Sequence, residues 1–194
     1  MIGYDLPRLH AAVNDLPAAL LLVAVLFDLM GWLLKRDSLV WAGIWTLWAG
    51  VVGGWAAVIL GELAEDAVEH GDAAHEIMGV HEKLALITMS LFTLVLAWKL
   101  VRRFQLRPTE DRVLKLLMIV GLVLLVRTGI EGGELVFDHA VGIPTAKLQA
   151  EIQDRAKGHH HEAGEADDHD AAGAMPDSAP HTHVDPPGTP PHTH

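Results

Sequence analysis

Along this chain apolar residues gather in four long blocks, and polar residues collect between and after them. The spacing predicts helices over about 17–34, 39–69, 73–103 and 110–131. At ~1.5 Å of rise per residue, each apolar block is about as long as the hydrocarbon core of a bilayer is thick. Short connections favour antiparallel neighbours. The predicted fold is therefore an all-α membrane protein, a four-helix up-and-down transmembrane bundle over 17–143. Residues 1–16 read as a short irregular or interfacial lead-in. Residues 144–194 read as a flexible, acidic, His-rich tail with too few apolar residues to fold.

Breakers and caps mark the helix ends. Pro17 falls near a first helical position, where its missing N–H costs nothing, with Asn14 or Asp15 as the cap. Gly71 breaks a charged insertion over 61–82, so helices 2 and 3 extend beyond the bilayer as a polar hairpin, and Asp72 caps helix 3. Thr109 or Asp111 caps helix 4. Helix 2 has two faces. Trp41, Trp45, Trp48 and Trp55 form one stripe, and Gly43, Gly50, Gly54, Ala57 and Gly61 lie roughly opposite. The small face suits close helix packing and the Trp face suits lipid. Room for a flat cofactor is the alternative reading of the small face.

Charge orients the bundle. Lys35 and Arg36 follow helix 1, and Arg102, Arg103, Arg107, Arg112 and Lys115 surround the second short loop. The positive-inside rule places both loops in the cytoplasm. Both termini and the acidic hairpin then lie outside, in the periplasm if this is a bacterial inner-membrane protein. The first block is expected to be a spanning helix and not a cleavable signal peptide. The chain has 194 residues, 51% of them hydrophobic, yet a formal charge of −11. The acidic balance argues against nucleic acid, which wants a basic patch. There is no cysteine, so disulfides, thiolate metal sites, c-type haem attachment and iron–sulfur clusters are excluded.

The run Gly132-Gly133-Glu134-Leu135-Val136-Phe137-Asp138-His139-Ala140-Val141-Gly142-Ile143 resembles the terminal motif of the DUF2231 family of small, mostly bacterial membrane proteins. The lead from His10 to Pro17 is similar to that family's opening, and His81 to a histidine at the start of its third helix. Asp15 stands where relatives carry a second histidine. The resemblance spans roughly 8–143 and implies the four-helix fold. Some relatives are fused to cytochrome c-like domains, which tilts the expectation toward redox chemistry by association.

Three histidines on separate elements, His10, His81 and His139, are expected at one membrane face, with Glu134 and Arg127 beside them. Imidazoles from different helices suit a b-type haem or another redox metal, and a carboxylate would orient them. Arg127, at spacings of four, seven and eleven from Glu131, Glu134 and Asp138, reads as a clamp on the helix end or a partner for a propionate or quinone headgroup. Interfacial residues bonded to headgroups and water are the competing account. His75 shares a face with Met78 and Glu82 on the hairpin, a candidate metal ligand or part of a solvated cap. The tail histidines, His159, His160, His161, His169, His181 and His183 among them, could hold Cu, Zn or Ni loosely. No nucleophilic triad, phosphate loop or nucleotide fold is legible, so electron transfer or metal binding is preferred to catalysis. The partners that follow are the lipid bilayer, a periplasmic cytochrome or quinone, and a second copy in a homodimer. The alternative function is a non-redox metal-binding, sensing or transport accessory, with the tail collecting ions.

Overall fold

The computed structural model describes residues 6–158. It contains α1 (Leu6–Leu34), α2 (Asp37–Glu65), α3 (Asp72–Val101), α4 (Pro108–Phe137) and α5 (Thr145–Lys157), with no strand among the described residues. The first four are long and apolar enough to cross a membrane, in agreement with the expected all-α bundle. At 29 or 30 residues each they run about 44 Å, so their ends outreach a hydrocarbon core of ~30 Å. Neighbours form a ring: α1 packs on α2 and α4, and α3 packs on the same two. The chain divides after Glu151, and the bundle lies wholly before that point.

Two expected boundaries move. α1 starts at Leu6, so the lead-in is helical and Asn14, Asp15 and Pro17 lie inside it. Pro7, in the first turn, takes the role expected of Pro17. Pro17 is buried in mid-helix and faces Gly53 on α2. A membrane helix tolerates the lost backbone bond because its neighbours pack around the break. The second change is α5, which occupies the start of the supposed tail. Its Ala, Leu, Lys, Gln and Glu residues favour helix. Thr145 anchors it, giving both its N–H (3.2 Å) and its hydroxyl (2.5 Å) to Glu69 Oε2.

In lipid, helices gain little by hiding apolar surface from one another, so van der Waals fit decides how they pack. The small face of α2 supplies that fit. A Cβ at Gly43 would lie 3.1 Å from the backbone N of Asp28, and one at Gly50 would lie 2.9 Å from Leu21. The opposite stripe is turned outward, with Trp41, Trp45 and Trp48 about half exposed or more. Trp55 departs from it. It packs against the core and donates its indole N–H to Thr93 Oγ1 at 2.9 Å.

The two halves of the bundle repeat. Asp28 and Lys99 are 71 residues apart, and the same offset relates the N-caps Arg36 and Arg107 of α2 and α4. It also relates Leu21 on Gly50 to Phe92 on Gly121. The hairpin α1–α2 thus maps onto α3–α4, and the ring of neighbours is preserved by the exchange. In that ring α1 and α3 stand diagonally, each between α2 and α4.

At the arginine-bearing end the diagonal is closed by charge. Lys99 Nζ donates to Asp28 Oδ1, while Lys115 Nζ lies 3.5 Å from Oδ2 and also pairs with Asp111. Asp28 and Lys99 are both 3% exposed. Removing one partner of such a pair strands the other charge. Asp28→Leu is expected to cost about 3–5 kcal/mol. Asp28→Leu with Lys99→Leu should recover most of that loss in unfolding measured in detergent.

The Glu69–Thr145 contact gives a pH dependence. The two hydrogen bonds from Thr145 hold the Glu69 carboxyl below its ordinary range. The contact is therefore present above the unfolded pKa and lost as pH falls through the lowered folded value. Proteolysis near Thr145 is expected to accelerate over that acid range. Thr145→Val should show the faster rate already at neutral pH.

Candidate functional site

The hairpin end carries the histidines. His10 lies in the second turn of α1, and its Nδ1 is 2.9 Å from the carbonyl oxygen of Ala57 on α2. His81 lies in α3, with Nδ1 3.0 Å from the carbonyl oxygen of Thr128 on α4. In each case 47 residues separate ring and carbonyl, and the rings themselves stand at the 71-residue offset of the repeat. Both rings are half-buried. The His10 ring is close enough to act electrostatically on His81.

A glycine makes each contact possible. Gly61 and Gly132 lie one turn beyond the accepting carbonyls of Ala57 and Thr128. A Cβ there would stand 3.1 Å from Cε1 of His10 and 3.0 Å from Cε1 of His81. Without it, the imidazole lies flat on the helix and reaches a carbonyl that already serves its own helix. A carbonyl only accepts, so Nδ1 carries a proton, and in the neutral ring Nε2 is the nitrogen left with a lone pair.

The carboxylate at this end is Glu131. It is 4% exposed, pairs with Arg127 at 2.5 Å, and acts electrostatically on His81. Of the three carboxylates expected near Arg127, Glu131, one turn on in the same helix, is the one it pairs with. Glu134 is only half-buried. Thr128 adds a further polar link, with its hydroxyl 3.4 Å from that of Thr88.

Other expected ligands fall elsewhere. His139 is exposed in the turn after α4, one residue past the C-cap Asp138. The chain reverses there through Ala140 (φ 53°) and Gly142 (φ 86°), with the Val141 N–H on the Leu135 carbonyl at 2.9 Å. Leu135 and Val141 pack with Ala74 and Met78, so much of the terminal motif caps α4 against the start of α3. His75 is exposed and stacks on His70, with centroids 5.5 Å apart. Among the described residues no three His, Cys, Asp or Glu side chains gather as a metal cluster. Of the expected trio, His10 and His81 are each held on a main-chain carbonyl and His139 is exposed. His159, His160, His161, His169, His181 and His183 lie outside the described residues. The sequence pattern marked Glu131 only as a partner of Arg127 and gave Gly61 and Gly132 no role toward a histidine. The recurrence of His and Gly at one offset could have found the glycines.

These observations define a class: an all-α membrane protein with four candidate spans. A family described as a predicted membrane protein family, DUF2231, matches residues 7–145, and the chain belongs to it. No curated protein and no solved structure matches the chain.

Gly61→Ala and Gly132→Ala are each expected to push an imidazole off its carbonyl and cost about 1–3 kcal/mol. Gly129→Ala and Gly133→Ala, where a Cβ would meet nothing within 4 Å, should be neutral. Thermal unfolding midpoints of the four variants check the contrast.

Proposed function

We propose that the hairpin end is a bis-imidazole site for a redox metal group, b-type haem being the best match. The protein would then be an electron-transfer component of a bacterial inner membrane. The observation that carries this reading is the matched pair of rings. Each has Nδ1 anchored on a main-chain carbonyl and Nε2 left as a lone-pair donor, at equivalent positions of two hairpins.

The donor chemistry fits. Imidazole suits haem iron, and an Nδ1–H bonded to a carbonyl sets ring orientation and raises ligand basicity. His10 and His81 would hold the iron through Nε2. When bound, the group supplies one-electron exchange. The chain's own residues orient the ligands and tune the charge around them. Glu131, buried beside His81, offsets positive charge on a metal. Arg127 would meet an acidic substituent of the cofactor. The positive-inside argument puts this end in the periplasm, facing a soluble redox partner.

Visible absorption of detergent-purified protein, made with ample haem, tests the reading. A Soret band whose α and β bands sharpen on dithionite reduction is expected. His10→Ala and His81→Ala should each abolish it, and His139→Ala should leave it intact. A flat spectrum would overturn the haem reading. One equivalent of another metal, lost in His10→Ala, would then support the non-redox metal-handling alternative.

A further inference from the structure

At the arginine-bearing end, α1 and α3 stop in the same way. The Arg36 N–H donates to the Gly31 carbonyl at 3.0 Å, and the Phe104 N–H donates to the Lys99 carbonyl at 2.9 Å. Each bond closes a helix end over one left-handed residue, a position that glycine usually fills. Here Lys35 (φ 52°) and Arg103 (φ 49°) fill it. That conformation strains any residue with a Cβ, so the backbone alone would favour glycine at both turns.

The cations are not engaged inside the protein. Lys35, Arg36, Arg103 and Arg112 are exposed and enter no ion pair among the described residues. Asp28, Asp111 and Glu110 are already paired with Lys99, Lys115 and Arg102. Asp37 is left against these cations, a local positive excess on a chain of formal charge −11. The positive-inside rule governs the direction of insertion. It asks neither for a strained backbone nor for cations without partners. A cation at a helix C-terminus also meets the favourable end of the helix dipole, and the experiment below separates that effect.

Indoles fix the level at which these cations stand. Trp32 and Trp98, each about half exposed, precede Lys35 and Arg103 by three and five residues, about 5–8 Å along the helix axis. Trp41, also half exposed, packs on Phe104 with ring centroids 5.2 Å apart, which ties the start of α2 to the α3–α4 turn. Indoles of membrane proteins settle at headgroup level, so the cations just beyond them stand among the phosphates.

We propose that this end binds anionic phospholipid of the adjoining leaflet, with Lys35, Arg36, Arg103 and Arg112 holding the headgroups. A phosphodiester accepts charge-assisted hydrogen bonds from ammonium and guanidinium groups. A zwitterionic headgroup brings its own cation into the same excess of positive charge, so a net negative lipid is the one selected. The acyl chains lie against the exposed faces of Trp32, Trp41 and Trp98.

The test uses full-length protein in vesicles that mix brominated phosphatidylglycerol with plain phosphatidylcholine, and the reverse. Quenching of tryptophan emission gives the relative affinity of the two lipids. Phosphatidylglycerol is expected to be preferred about fivefold or more, the ratio falling toward one in ~1 M salt. Replacing Lys35, Arg36, Arg103 and Arg112 together by Gln should abolish the preference, and Lys83→Gln, at the hairpin end, should leave it. Lys35→Gly with Arg103→Gly should weaken it while the unfolding midpoint in neutral detergent stays level or rises. Equal quenching by the two lipids would overturn the proposal. So would a preference that survives the fourfold variant or is lost in Lys83→Gln. A lower midpoint for the glycine pair would overturn it as well, because the cations would then serve the helix ends.

Discussion

The distance between helices is set by glycine, and the rest of the bundle is placed by that distance. Apolar side chains gain nothing in leaving lipid for protein, so association rests on close contact. Gly43 lets α2 touch the backbone of α1, while Gly50 and Gly121 receive Leu21 and Phe92 in the middle of the two hairpins. At the hairpin end the same device seats polar rings. Gly61 and Gly132 receive imidazoles, and the carbonyls exposed beside them fix each ring.

The internal repeat explains why the two ends differ. The repeat puts equivalent positions of α1 and α3 at the same end of the bundle. Two imidazoles can stay identical at such positions. Equal charges cannot, because repulsion grows in a low-dielectric interior. At the other end the equivalent positions carry Asp28 and Lys99, opposite in sign and bonded. Lys115 and Asp111 complete a neutral cluster, which is how buried charge is tolerated in a membrane helix.

The terminal motif acts chiefly in packing. Gly132 seats His81, and Leu135 and Val141 pack against the start of α3. His139, its most chemically suggestive residue, faces outward. The plainer glycine in the same motif is the residue that lies against a ring.

Four spans, their antiparallel order and the packing role of the α2 glycine face followed from the sequence alone. Hydropathy blocks of bilayer length and small residues at helical spacing are local properties. The histidine end could also be placed from the chain, because helix direction alternates. The start of α1 was misplaced because Pro7 and Pro17 both satisfy the local rule for a first turn, and only packing against Gly53 tells them apart. Helix α5 was missed because its anchor, Glu69, lies far away in the chain. The carbonyl partners of His10 and His81, the exposure of His139 and the burial of Glu131 were decided by tertiary structure. Each depends on which carbonyl or charge faces a side chain across the bundle, and sequence spacing holds no direct record of that distance.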